Sequence, residues 1–437
     1  MSAVVTSGLT PVRRVLPNGT SAIVQETAFS PAVTFNLGFR AGGLYEPDDL
    51  TGLAWFTGRV IDRGTLTRSP DAIAEALDDR GVTIRVSTNR HVMTLSCTCL
   101  SEDFAEMLTV AADVCRNATF PPQEIEKRRA ETITAIRQDQ DNPGIRASET
   151  LQALLYGDRH PYGRPAKGSV ATIERLSRAD LAAYHGARFA PSSQTIVVVG
   201  DVRAEETFAL VERAFDDWRA PAPAEREVPP APPHSVRVER RIVMPDKPQS
   251  DIAYGFVSIN RLDPAYYSHW VMNTIFGQFG LGGRLAENIR ERQGMAYYAY
   301  SSFDPSLGPG PLVIRAGVDP GNVDRAITAI DHEVGVLGRE GATEQELSDT
   351  KRFLVGSIPR MLETNASIAT FLQTVEFFEL GLDFDRRLPS LLEAVALDDV
   401  NRAAASVLDP GRACVAVAGP RLSADESGRR RGEAGAE

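Results

Sequence analysis

Residues 174–202 read ERLSRADLAAYHGARFAPSSQTIVVVGDV, and residues 393–420 read EAVALDDVNRAAASVLDPGRACVAVAGP. Glu174 aligns with Glu393, Asp180 with Asp399, Pro191 with Pro410 and Gly200 with Gly419, all at one offset of 219 without a gap. Each stretch has the pattern of a helix, a turn and then a short apolar run of buried-strand type. Four matches at one offset inside the same pattern point to two similar domains. The period is far too long for a solenoid. Between the copies, residues 220–233 read APAPAEREVPPAPP, which is Pro-rich and lacks periodic apolar residues. Such a segment is expected to be an extended linker. The chain thus divides into an N-terminal tail (1–14), a first domain (15–219), a linker (220–235), a second domain (236–421) and a charged C-terminal tail (422–437) expected to be disordered.

Inside the first half, strands precede helices. Residues 82–88 and 93–100 are β-rich, and alternation puts Met93, Leu95, Cys97 and Cys99 on one face, as core residues. Ser69 as N-cap, Pro70 at the first helical position and Gly81 past the end punctuate a helix over 70–80. Phe104, Met107, Leu108, Ala111 and Cys115 recur at helical spacing, so 102–117 is a helix with one buried face. Strands and helices in runs, without strict βαβ alternation, give an α+β class: two similar domains, each a mostly antiparallel sheet packed with helices.

Lys and Arg total 47 against 58 Asp and Glu, a formal charge of −11. That balance argues against nonspecific nucleic-acid binding and against an anionic membrane surface. No run approaches the ~18 apolar residues of a membrane span. Four scattered cysteines are not a disulfide framework. The opening residues lack a basic start, an apolar core and a cleavage site, so a cytoplasmic protein is expected.

Residues 16–46, LPNGTSAIVQETAFSPAVTFNLGFRAGGLYE, are followed by TGLAWFTGRVIDRGTLTRS at 51–69. With LLYGDRHPYGRPAKGSVATIERLSRADLAAYHGARFAPSSQTIVVVGDV at 154–202 and GGRLAENIRERQGMAYYAYSSF at 282–303, the chain resembles the pitrilysin/insulinase-like zinc peptidases. These inverzincins include insulin-degrading enzyme and the mitochondrial processing peptidase. The resemblance runs over about residues 15–420 and implies half of a clamshell. It also implies an inverted zinc motif, H-x-x-E-H, on the helix at 53–62. There, two imidazoles one turn apart hold the metal and the Glu takes a proton from metal-bound water. Trp55, Gly58 and Arg59 stand at those three positions. Trp and Arg offer only N–H donors, and Gly58 has no base to offer. The segment AIRQDQDNP places Ala135 where the family has its third ligand, a Glu. The resemblance is therefore to a member without a zinc site, with no cofactor in this chain. Nothing nearby restores one. Glu131 lies one turn before Ala135 with no histidines to complete, and His332-Glu333 lacks its second His because Val336 stands there. His160 and His185 are expected to cap or pack. His91, His234 and His269 have no second His within a turn.

The second half keeps what the family uses as an auxiliary pair, an Arg and a Tyr that reach toward the substrate. Arg290 and Tyr297 stand seven apart, with Gly294 allowing a sharp exit from a helix over 284–292. Strand alternation puts Tyr298 and Tyr300 on one face and Tyr297 on the other, leaving open which Tyr acts. The glycine-rich loop Gly277–Gly283 reads as a close approach or a hinge. The resemblance implies a heterodimer in which a homologous partner bearing H-x-x-E-H carries the zinc. This chain would supply Arg290 and Tyr297 in trans to cleavage of a flexible peptide, bound as an added strand. Leader removal from a small precursor, such as a peptide natural product or pyrroloquinoline quinone, would suit such a pair. A structural core-type scaffold subunit and a homodimeric peptide-binding pseudoenzyme are the alternatives.

Overall fold

The two aligned stretches fold alike for reasons visible in single residues. Arg178–Arg188 and Leu397–Val407 are helices. Asp180 accepts the N–H of Ser177 at 2.8 Å and Asp399 that of Ala396 at 3.1 Å, so the matched aspartates both cap a helix start. Pro191 and Pro410 each open a 3-10 turn, and each turn leads into a buried strand. Gly200 and Gly419 close those strands where a side chain would strike a neighbour. A Cβ at Gly200 would lie 2.6 Å from Val33 Cα, and one at Gly419 2.8 Å from Ser250 Cα.

The computed structural model describes residues 8–28, 30–279 and 282–421; the expected tail at 422–437, residues 1–7, Gly280 and Leu281 lie outside them. The strands are β1 (Val12–Val15), β2 (Ser21–Glu26), β3 (Ala32–Phe39), β4 (Ile84–Thr88), β5 (Met93–Leu100), β6 (Gln194–Gly200), β7 (Val238–Val243), β8 (Ser250–Val257), β9 (Ala296–Phe303), β10 (Pro311–Val318) and β11 (Cys414–Gly419). They form two sheets, ordered β1-β2-β6-β3-β5-β4 and β7-β11-β8-β10-β9. Without β1 the two orders match position for position. In both, one pair is parallel (β2/β6, β7/β11) and the rest antiparallel. The α+β class with two like, mostly antiparallel sheets is thus what the chain adopts. Residues 12–14, expected in the tail, belong to β1, because their backbone pairs with Val24, Ile23 and Ala22.

Two packing units emerge, each discontinuous in sequence. Among the described residues, the first comprises 8–136, 165–227 and 357–388; the second comprises 137–164, 228–356 and 389–421. In the first unit Phe35 of β3 meets Phe104 edge-on at 5.7 Å from the helix Phe104–Asn117. The opposite face of that sheet is covered by the helix Asn365–Phe377, with Ile368, Ala369 and Leu372 packed on Ile23, Val197 and Val199. In the second unit Tyr254 of β8 donates to Asp331 on the helix Val323–Glu340 at 2.9 Å. The other face is covered by the helix Pro143–Tyr156, with Ala147, Leu151 and Leu155 on Ala253, Val313, Ala416 and Ala418. Each sheet is therefore closed by a helix from the other half of the sequence.

The linker has neither helix nor strand. In the first unit Arg226 donates to the Glu46 carbonyl at 2.6 Å and Arg188 to that of Ala224 at 2.6 Å. In the second, His160 and the Pro229 carbonyl are 2.9 Å apart, and His234 and the Leu155 carbonyl 2.8 Å. Among the described residues no helix is long and apolar enough to cross a membrane.

Candidate functional site

The helix Leu53–Val60 starts at Gly52, whose φ of +94° favours glycine, and the buried carboxylate of Glu46 accepts the N–H groups of Gly52 and Ala54 at 3.1 and 2.7 Å. A carboxylate there satisfies free donors and complements the positive helix end. Leu53, Ala54, Phe56, Thr57, Gly58 and Val60 are buried, which leaves Trp55 and Arg59 as the outward positions. These are the two positions at which the resemblance implies metal-binding imidazoles. Arg59 lies over the Trp55 ring at 5.7 Å and reaches Glu131 at 3.5 Å. Glu131, on the helix Pro122–Gln140, also receives two bonds of 2.7 Å from Arg128. Those bonds, reinforced by the charges of Arg128 and Arg59, hold its carboxyl below the usual range. An ion pair thus links the two helices on which the resemblance implies zinc ligands.

The residues present do not fit zinc. At Gly58 a Cβ would lie 2.7 Å from Thr88 Oγ1 and 3.3 Å from Val86 Cγ1, so a side chain there would press on side chains of β4, which would have to shift. Among the described residues no three His, Cys, Asp or Glu side chains come together to hold a metal. His160 Nδ1 accepts the N–H of Tyr162 at 3.0 Å and caps a 3-10 turn; His185 stacks on Phe189 at 4.6 Å and bonds the Cys115 carbonyl at 2.7 Å. Both are capping and packing residues, as expected. Burial holds the His185 pKa low despite that bond. Cys97 and Cys99 are buried core residues on one face of β5.

The second candidate set lies in the second unit. Two π-helical segments, Thr274–Gln278 and Ala286–Arg292, flank the glycine-rich loop. A Cβ at Gly277 would sit 2.7 Å from Ser301 N, so this glycine permits the close approach to β9. Arg290 is half exposed and lies 3.4 Å from Glu291. Gly294, at φ +61°, ends the helix, with its N–H on the Arg290 carbonyl. Tyr297 is 86% exposed. Its exposure has a backbone cause: β10 pairs Gly317 with Tyr298 but Val318 with Ala296, leaving Tyr297 as the extra residue of a β-bulge. Bulges redirect a side chain at a sheet edge, and β9 is such an edge. Tyr298 instead donates to Asp251 and lies across Gly317, where a Cβ would meet its Cε1 at 2.5 Å. Burial, that bond and the Asp251 charge raise its pKa. Tyr300 is its ring neighbour at 5.7 Å. Strand alternation separated Tyr297 from these two; the bulge itself is a feature that alternation misses.

The chain matches the family described as "Insulinase (Peptidase family M16)" over residues 22–165 and "Peptidase M16 inactive domain" over residues 175–354. It is 28% identical over 427 residues to an uncharacterized zinc protease of Mycobacterium bovis, covering 95% of each chain. It is 24% identical over 384 residues to the non-peptidase homolog YmxG of Helicobacter pylori, covering 87% of each. Among solved structures it superposes on a peptidase M16 inactive domain from Pseudomonas fluorescens with a TM-score of 0.87 at 23% identity, over 95% of this chain and 99% of that one. With two domains of one family matched in order over residues 22–165 and 175–354, most of its length, the chain belongs to peptidase family M16.

Proposed function

We propose that this chain is the non-catalytic subunit of a two-subunit zinc metallopeptidase acting on flexible peptides. The observation that carries the reading is a contrast. The positions of a family zinc site hold Trp55, Gly58, Arg59 and Ala135, with Gly58 pressed on β4, while Tyr297 stands on a bulge at the sheet edge. A homologous partner bearing H-x-x-E-H would hold the zinc. The Tyr297 phenol would donate a hydrogen bond to the oxygen of the carbonyl under attack, where negative charge develops. Arg290 would hold a neighbouring peptide carbonyl or orient that phenol. Removal of a leader from a small precursor in the cytoplasm is the biological setting we favour. A pure scaffold has no use for a tyrosine so displayed, and the relative named a non-peptidase homolog agrees with a chain that does not cut alone.

The test is to purify the chain, measure its zinc by elemental analysis and assay peptide cleavage with and without an H-x-x-E-H homologue. We expect no stoichiometric zinc and cleavage only in the mixture. One zinc per chain, or chelator-sensitive cleavage by the chain alone, overturns the reading.

A further inference from the structure

Three residues stand in one row across the second sheet: Asp251 of β8 opposite Gly317 of β10, and Gly317 opposite Tyr298 of β9. By strand alternation they share the face on which Ala253 and Val313 pack against the helix Pro143–Tyr156. The row forms a seat for one phenol. Gly317 is its floor: a Cβ there would meet Tyr298 Cε1 and Gln249 Nε2, each at 2.5 Å. Asp251 closes it. Its buried carboxylate accepts the Tyr298 O–H and, on the same oxygen, the Gln249 amide at 3.0 Å. A Cβ at Gly144, in the first turn of that helix, would stand 3.5 Å from this oxygen.

The bulge decides which tyrosine takes the seat. Unbroken alternation would put Tyr297 beside Ala299 and Ser301, both buried. With Tyr297 as the extra residue, Ala296 stands there instead, opposite the buried Val318. A bulge one residue further along would keep Ala296 opposite Val318 and Ala299 opposite Ala316. It would set Tyr297 over Gly317, inside the seat, and make Tyr298 the extra residue. The two arrangements differ in which of two adjacent tyrosines meets Asp251. Tyr298 holds the seat, and Tyr297 is the one left exposed.

We propose that Tyr298 is a positioning residue for Tyr297: by occupying the Asp251 seat it fixes the bulge and keeps the Tyr297 phenol outside the sheet. The inference rests on the reading of Tyr297 as the acting tyrosine. A buried carboxylate short of a donor is costly, whereas an apolar pair of similar shape in the same place is not. Tyr298→Phe deprives the seat of its hydroxyl, so a one-residue shift of the bulge draws the intact Tyr297 phenol in. Asp251→Leu removes the demand for a donor. The double variant therefore displays Tyr297 again.

The test is nitration of the whole chain with tetranitromethane, each tyrosine being followed by mass spectrometry. It needs no partner, so its failure is distinct from failure of the peptidase reading. In the wild-type chain Tyr297 should react about tenfold faster than Tyr298 or more. Tyr298→Phe should slow Tyr297 by about tenfold, and adding Asp251→Leu should restore the wild-type rate. Tyr300, whose pairing with Arg315 is the same in both arrangements, is the internal reference, and a thermal melt verifies each fold. In the assembled peptidase kcat should follow the same order, falling in Tyr298→Phe and recovering in the double variant at unchanged KM. Equal reaction of Tyr297 and Tyr298 in the wild-type chain overturns the proposal whatever the variants do. So does a Tyr297 rate that folded Tyr298→Phe leaves unchanged, or that the folded double variant does not restore.

Discussion

At position 58 of the helix Leu53–Val60 a Cβ would meet the side chains of Thr88 and Val86 at 2.7 and 3.3 Å. Installing the family's general base there would displace those side chains. Overpacking of this kind costs roughly 1–3 kcal/mol. Gly58→Glu should therefore lower the urea midpoint, and adding Trp55→His, Arg59→His and Ala135→Glu should not create zinc-dependent cleavage; a stable, zinc-loaded quadruple variant would contradict this. The chemistry of Trp55, Gly58, Arg59 and Ala135 is legible in the sequence because donor chemistry is a property of each side chain alone. The Arg59–Glu131 pair was not, since the partners lie on helices far apart in sequence whose docking spacing cannot show. A pH dependence also belongs to this scale. Burial, with the charges of Arg90 and Arg40, lowers the His91 pKa from 6.5 to about 4. The unfolded chain then binds the proton more readily than the folded one. Stability conferred by neutral His91 is complete above pH 6.5 and is lost as pH falls toward 4, by up to about 1.4 kcal/mol per pH unit. Urea unfolding between pH 7 and 4 should show that slope, and His91→Gln should flatten it; an equally steep profile in the variant would assign the slope elsewhere.

Among elements, β9 shows most clearly how far pattern reading goes. Its alternation correctly paired Tyr298 with Tyr300. The bulge that frees Tyr297 depends on β10, where register shifts between Gly317 and Val318, and no property of β9 alone announces that shift. If the phenol acts in trans, Tyr297→Phe should reduce turnover of the assembled peptidase by about 10²-fold or more while leaving assembly intact. Unchanged turnover would remove Tyr297 from the chemistry. The strand ends make a separate case. Gly200, at φ +153°, lies against the backbone of Ala32 and Val33, so a methyl group has no yielding neighbour. Gly200→Ala should cost at least about 2 kcal/mol in equilibrium unfolding. A loss below 0.5 kcal/mol, on the order of an ordinary surface change, would mean that the strand end is looser than described.

Over the whole molecule, the offset of 219 announced two like folds, and the sheets repeat one strand order. What it did not announce is the exchange of helices. The apolar faces of Pro143–Tyr156 and Asn365–Phe377 state that each must be covered, not which sheet covers it. Expression of residues 1–219 alone should therefore leave Ile23, Val197 and Val199 bare and yield aggregated or protease-sensitive material. Co-expression with the remainder should restore a protected species. A soluble, protease-resistant 1–219 fragment would show that the helix is dispensable.

The exchange also sets a timetable on the ribosome. The first sheet lacks its cover until residues 357–388 have been synthesised, about 160 residues after the rest of that unit is complete. At roughly 5–20 residues per second, this leaves a nascent β-sheet waiting for about 10–30 s. During that interval its apolar face is a natural client for a chaperone.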